Sequence, residues 1–145
     1  MSNEAGDIVD WNIFSEMRAE LGAGFVRIFG YFREDGTKAV AAIEEAMRRR
    51  NAAALVTPAE TLSDEALQFG ARPLAEIADR IEIVARRCVE QREGPEELLQ
   101  DVIALRPLFD ETIALLDREA NPLIERRPSL VRRASQAVPE GYGPA

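Results

Sequence analysis

The apolar residues of this chain recur at intervals of three and four along most of its length, which is the spacing of helices that bury one face. No convincing segment alternates apolar and polar residues as a half-buried strand does. The pattern therefore predicts an all-α fold. The first apolar stripe is interrupted by glycines, which favour a bend or a close helix contact. This stripe is formed by Phe14, Met17, Leu21, Phe25, Ile28 and Phe32, and the glycines are Gly22, Gly24 and Gly30.

Turn-forming residues divide the pattern into separate helices. Asp35-Gly36 is predicted to end the first long helix, with Thr37 as the N-cap of the next. Asn51 is predicted to cap the helix that follows, and Gly70 to end it. Gly94 is predicted to end the next helix after that.

Two prolines lie inside predicted helices. Pro58 is expected to kink or restart its helix, and Pro107 to bend the last one, because proline lacks the amide proton and crowds the preceding turn. Pro73, by contrast, falls in a first turn, where proline is tolerated.

The connections between the last four stripes are short, so consecutive helices are expected to be antiparallel neighbours around one core. We therefore predict an up-down antiparallel four-helix bundle with an additional N-terminal helix, over residues 10–118. Residues 1–9 are predicted to be a flexible N-terminus. Residues 119–145 are predicted to be a largely disordered tail, since proline and glycine recur there and the apolar stripe is lost.

The composition narrows the classes of function. The chain has 145 residues, a net charge of -8 and no histidine. This acidity argues against nucleic acid and anionic membranes as partners, because both require a basic surface. No apolar run reaches the roughly 20 residues of a membrane span, and the acidic start does not resemble a signal peptide. A single cysteine, Cys88, favours a cytoplasmic setting, and its place on an apolar stripe predicts a buried thiol.

Neighbouring carboxylates raise the question of a metal site. They occur at Glu44-Glu45, Glu96-Glu97 and Asp110-Glu111. Without histidine, the usual ligand set of a di-metal helical bundle is incomplete, and no metal or cofactor is predicted.

One helix carries a recognisable pattern between Pro58 and Ala71. It resembles the active helix of histidine phosphotransfer (HPt) domains, the relay modules of bacterial two-component signalling. The resemblance is specific over about a dozen residues, and it implies an HPt-like bundle. The positions that match are Thr61, Leu62, Ala66, Gln68, Phe69, Gly70 and Ala71. The positions that depart are those of the phospho-accepting His, its Lys and its Gly, which here are Glu60, Ser63 and Asp64.

The departures bear directly on the chemistry that the resemblance implies. Positions i, i+3 and i+4 share one helix face, so Glu60, Ser63 and Asp64 are predicted to form one patch, with Leu62 pointing inward. A carboxylate is a far weaker nucleophile than an imidazole, and position 63 offers no cation to support a phosphoryl group. Ser63 has no base beside it. We therefore predict a protein that is not an enzyme.

Val56, Leu67 and Gln68 are predicted to complete the partner-binding surface with Glu60, Ser63 and Asp64. The resemblance then implies a non-transferring adaptor or regulator that binds a response-regulator receiver domain or a histidine kinase. In family members the receiver pocket holds Mg²⁺, which a carboxylate could approach, whereas further carboxylates add repulsion to its acidic rim. A kinase or a non-relay partner therefore stays open.

Three other interpretations remain at this point. The chain could be a helical interaction module that forms a homodimer, it could retain phosphotransfer through a residue other than His, or this helix face could simply be solvated. Trp11 bears on the first of these. If it packs with Phe14 it fastens the N-terminal helix to the bundle, whereas an exposed Trp11 indicates a dimer contact.

Overall fold

The computed structural model describes residues 8–120, and every regular element in this range is helical, as the sequence predicts. Residues 1–7 and 121–145 lie outside the described part, and with them most of the predicted flexible N-terminus and disordered tail. The helices are α1 (Trp11–Leu21), α2 (Phe25–Arg48), α3 (Ala52–Gln68), α4 (Arg72–Gln91) and α5 (Leu99–Ala120). Short 3-10 turns at Gly22–Gly24 and Glu96–Leu98 precede α2 and α5.

The chain divides into two compact units, Met1–Ile113 and Ala114–Ala145. The first unit holds α1 to α4 and most of α5, and the packing described below lies within it. In the second unit, the described residues continue α5 as far as Ala120. Among the helices of residues 8–120, none combines the length and the apolar character that crossing a membrane requires.

The core of the first unit is built on α3, which packs against α2 on one side and α4 on the other. Phe69, directly after α3, lies at the centre of an aromatic cluster. Its ring stacks on Phe32 at a centroid distance of 4.7 Å, and it lies 5.9 Å from Phe29 and 6.1 Å from Phe25. Aliphatic side chains of α3 and of the neighbouring helices surround this cluster. Those with no exposed surface include Val40, Ile43, Leu55, Leu62, Leu74 and Ile81.

The predicted helix end at Asp35-Gly36 is wrong, because α2 runs without a break from Phe25 to Arg48. Gly36 is buried, and a Cβ added there would lie 2.7 Å from Cζ of the Phe109 ring and closer still to Cε1. The glycine therefore lets α5 approach α2 closely instead of ending the helix. The hydroxyl of Thr37 donates to the carbonyl of Arg33 at 2.7 Å, a bond within the helix rather than an N-cap.

The predicted end of α4 at Gly94 is also wrong, because the helix stops at Gln91. Arg92 takes the left-handed conformation, with φ of 59°, in place of a glycine. The amide of Glu93 donates to the Cys88 carbonyl at 2.8 Å, which is how such caps satisfy the last turn. Cys88 itself is buried, as predicted, and burial raises the pKa of its thiol.

Of the remaining capping residues and prolines, three lie at helix ends as predicted and two lie inside helices. Asn51 caps α3 as predicted, accepting from the Ala54 amide at 3.1 Å, and Gly70 follows the helix with φ of 78°. Pro73 lies in the first turn of α4, also as predicted. Pro58 and Pro107 lie inside α3 and α5, and neither proline divides its helix into two.

The start of α1 is fixed to the turn between α3 and α4. The amide of Asp10 donates to the Gly70 carbonyl at 2.7 Å, and its carboxylate caps the amide of Asn12 at 3.1 Å. The same carboxylate pairs with Arg72 at 3.3 Å. A side chain at Gly70 would meet the Asp10 carbonyl oxygen at 2.6 Å, so the approach of these two backbones requires glycine.

Ion pairs join α5 to the earlier helices and account for most of the neighbouring carboxylates in the sequence. Glu44 of α2 accepts two hydrogen bonds from Arg106, at 2.8 and 2.9 Å, and these bonds lower the pKa of its carboxyl. Arg80 of α4 pairs with Asp101 at 2.9 Å. Three further pairs are Arg48–Glu45, Arg50–Glu96 and Arg87–Glu97. Four of the six neighbouring carboxylates are therefore engaged in ion pairs, which connect different elements except for Glu45, whose partner lies in the same helix.

Candidate partner-binding face

Helical spacing brings Glu60, Ser63, Asp64 and Leu67 to one side of α3. Glu60 and Asp64 are exposed, and Leu67 keeps 54% of its surface in contact with solvent. The opposite side of the helix is buried, with Leu62 fully covered. The predicted orientation of this helix is therefore the one observed.

The two remaining predicted residues lie differently. Val56 is half-buried one turn before Glu60. Gln68 is exposed, but it lines a separate hollow of about 510 Å³ together with residues of α1 and α2, among them Met17 and Ile28. The structure thus brings Val56 near the Glu60 side of α3, whereas Gln68 belongs to another surface.

Helix α4 supplies the groups that surround Glu60 and Ser63. Arg86 approaches the Glu60 carboxylate at 3.6 Å and also pairs with Glu82 at 3.0 Å. Helix α3 has no cation at position 63, and the neighbouring helix provides one through Arg86. The Ser63 hydroxyl donates to the backbone carbonyl of Ala75 at 3.1 Å, which ties α3 to α4. This hydroxyl therefore has a structural partner.

A shallow hollow of about 510 Å³ lies between α3 and α4 beside Leu67. Its carboxylates come from both helices, while its arginine, Arg72, is already paired with Asp10. The hollow is lined by Ser63, Asp64, Leu67, Arg72, Ala75, Glu76 and Asp79. We call the outer surface formed by Glu60, Ser63, Asp64 and Leu67 of α3 and by Glu76, Asp79 and Arg86 of α4 the α3/α4 face.

The α4 residues of this face were not found from the sequence, although a signal for two of them exists. The connection between α3 and α4 is only three residues long, so the two helices must run antiparallel side by side. The first turns of α4 then lie beside the last turns of α3. This register alone would have suggested Glu76 and Asp79 as neighbours of Asp64, whereas it places Glu60 opposite about residue 80, so the contact with Arg86 could not be inferred from it.

Two carboxyl groups, those of Glu65 and Asp35, face each other on the α2 side of α3. No hydrogen-bond donor among residues 8–120 reaches Oε1 of Glu65, an atom with no exposed surface. Burial raises the pKa of Glu65, and the facing Asp35 carboxyl and the neighbouring Asp64 raise it further. A proton held by Glu65 can be donated to Asp35, which joins α3 to α2.

We expect this pair to make stability fall as the pH rises. Because the folded pKa of Glu65 lies above its ordinary value of 4.5, the folded chain holds this proton more tightly than the unfolded chain. Its ionisation therefore costs stability between that value and the raised folded pKa. Glu65→Gln should remove this decline, which urea denaturation at a series of pH values measures. Glu16→Gln, at an exposed position on α1, is the control, and an unchanged pH profile in Glu65→Gln would contradict the assignment.

Comparison of the chain with protein-family models, with curated proteins and with solved structures gives no match in any of the three. The class that the structure itself defines is an all-helical protein with one acidic, partly apolar face on α3 and α4. The likeness to HPt domains rests on residues 58–71, which form the second half of α3 and the turn after it.

Proposed function

We propose that this protein is a non-transferring HPt-like adaptor or regulator that binds a response-regulator receiver domain or a histidine kinase through the α3/α4 face. The observation that carries the proposal is Leu67, which is 54% exposed beside a hollow of about 510 Å³ and lies on the same side of its helix as the preceding Glu60 and Asp64. An apolar side chain next to a concave, polar-rimmed surface suits a protein contact.

The chemistry of the face favours binding over phosphoryl transfer. Glu60 stands where the resemblance expects the phospho-accepting His, and its carboxylate lies against Arg86. Ser63 donates its hydroxyl to a backbone carbonyl. The chain contains no histidine at all, so no imidazole is available to carry a phosphoryl group.

Arg86 also bears on the choice of partner. It offsets part of the negative charge at Glu60 and so reduces the repulsion expected with an acidic receiver pocket. The carboxylates that line the hollow beside Leu67 keep their negative charge. They favour a receiver domain whose contact surface is basic around its acidic pocket.

The packing of α1 supports the adaptor over a homodimer built on the N-terminal helix. Trp11 is half-buried and meets the ring of Phe14 edge-on at 5.3 Å. Phe14 in turn meets Phe25 edge-on at 5.4 Å. These contacts support the interpretation in which Trp11 and Phe14 fasten α1 to the rest of the chain.

The test is a titration of the full chain against receiver domains from its own cell, with Mg²⁺, with and without beryllofluoride. We expect saturable binding to one receiver, weakened about tenfold or more by Leu67→Arg, because a buried leucine contributes about 1.5–3 kcal/mol and a charge in its place adds a desolvation cost. Glu60→Arg should also weaken binding, since it replaces the carboxylate that can approach the Mg²⁺ of a receiver pocket with a second cation beside Arg86.

The matched control is Ile103→Arg. Ile103 is 58% exposed on α5, so it resembles Leu67 in exposure but lies on a helix that contributes nothing to the α3/α4 face. Binding that survives Leu67→Arg, or that Ile103→Arg weakens equally, would show that this face is not the binding surface. If no receiver binds, the same variants are titrated against histidine kinases, and failure with both classes of partner would reject the proposal.

A further inference from the structure

A second hollow adjoins the α3/α4 face along α4. It measures about 330 Å³ and is lined by Glu76, Asp79, Arg80, Ile83 and Val84. Glu76 and Asp79 line both hollows, so they form an acidic ridge between them. Each hollow contains one exposed apolar side chain, Leu67 in the first and Ile83, which is 58% exposed, in the second.

The ridge carries negative charge that the described chain does not neutralise. Within residues 8–120, neither Glu76 nor Asp79 forms an ion pair, and the same holds for Asp64. The arginines nearby are engaged elsewhere: Arg72 with Asp10, Arg80 with Asp101, and Arg86 with Glu60 and Glu82. The face therefore presents three unpaired carboxylates to whatever approaches it.

The acidic ridge separates the two apolar side chains. Leu67 shares its hollow with Ala75 and Glu76, and Ile83 shares the other hollow with Asp79 and Arg80. An amphipathic helix carries its apolar side chains along one face and its charged side chains beside them.

We infer that the α3/α4 face, extended to Ile83, docks a basic amphipathic helix that carries large apolar side chains along one face and lysine or arginine beside them. The apolar side chains enter the two hollows, and the cations meet the ridge of Glu76 and Asp79. This inference rests on the proposed function in one respect, that the α3/α4 face is a docking surface, and it specifies the chemistry of the partner.

The probe is a fluorescein-labelled, alanine-rich peptide of about 18 residues, long enough to form helix. It carries four leucines on one face, at positions i, i+4, i+7 and i+11, with lysines beside them. A second peptide of the same composition has one leucine moved by two positions, which turns it about 200° round the helix. Fluorescence anisotropy with the full chain should give at least about fivefold tighter binding of the first peptide, because only its leucines share one face.

Variants of the chain test the acidic ridge and the apolar contact at Ile83 separately. The double substitution Glu76→Gln/Asp79→Asn should weaken binding of the first peptide about threefold to tenfold, in line with two partly exposed charge pairs. Ile83→Ser should weaken it about tenfold by removing one apolar contact. Glu90→Gln on α4 and Ile103→Ser on α5 are the matched controls and should leave binding unchanged. Circular dichroism melts check that each variant is folded.

Equal affinity for the two peptides would overturn the inference, as would indifference to both the ridge and the Ile83 variants. The receiver and kinase titrations distinguish this failure from failure of the proposed function. A partner lost in Leu67→Arg but unaffected by Ile83→Ser and by the ridge variant leaves the adaptor standing without the docked helix. Peptide binding as expected, with no receiver or kinase bound, leaves the docking surface standing without the two-component role.

Discussion

Phe69→Ala is expected to lower the free energy of unfolding by about 3–5 kcal/mol, which is the usual cost of truncating a buried phenylalanine. Phe69 is 1% exposed, stacks on Phe32 at 4.7 Å and lies within about 6 Å of two further rings. Removing its ring loses the burial of its apolar surface, leaves a cavity between α2 and α3, and breaks the aromatic cluster at its centre. For a domain of ordinary stability, this loss is a large fraction of the total.

Leu67→Ala provides the matched control for Phe69→Ala. Leu67 is two residues earlier, also apolar, and 54% exposed, so its truncation should change the free energy of unfolding by no more than about 0.5 kcal/mol. Urea denaturation followed by circular dichroism measures both variants. A cost below about 1 kcal/mol for Phe69→Ala, or equal costs for the two variants, would mean that the cluster is not the centre of the core.

The helical class and the orientation of α3 could be predicted because they depend on local pattern. Apolar spacing identifies the buried side of a helix without knowledge of its neighbours, and the fully buried Leu62 lies where that spacing puts it. The two ends of α3, at Asn51 and Gly70, could also be predicted, since capping chemistry acts within a few residues of the helix end.

One of the two errors arose where a distant part of the chain decides the outcome, and the other where an arginine takes a conformation typical of glycine. Gly36 is followed by a good N-cap residue, and local rules favour a helix end there. The ring of Phe109, 73 residues later, instead packs against the glycine within a continuous helix. At Gly94 the helix ends earlier than predicted, because Arg92 takes the left-handed conformation that local rules assign to glycine.

The candidate site shows the same division between local and distant information. The α3 residues of the face follow from one helical repeat, whereas Arg86, Glu76 and Asp79 belong to the next helix and require the packing of the pair. That packing changes the chemistry expected for Glu60. The sequence suggested an isolated acidic patch, and the structure adds a cation from α4 and leaves the unpaired carboxylates around Leu67.

Gly36→Ala is expected to lower the free energy of unfolding by about 1–3 kcal/mol, although alanine is the better helix former by about 1 kcal/mol. The added methyl group would lie 2.7 Å from Cζ of Phe109, and that ring is buried and has little room to move. Either the ring leaves its present position or α5 moves away from α2, and both responses loosen the packing of Phe109 against Phe32.

Gly30→Ala in the same helix is the control, and it is expected to raise the free energy of unfolding instead of lowering it. Gly30 is exposed, and a Cβ there meets no atom of the described structure within 4 Å. Only the helix preference remains, so this variant should gain about 1 kcal/mol. Chemical denaturation of both variants compares the two signs directly. If Gly36→Ala stabilised the chain as Gly30→Ala does, the close approach of α5 to α2 would be refuted, because the two glycines differ chiefly in what lies opposite them.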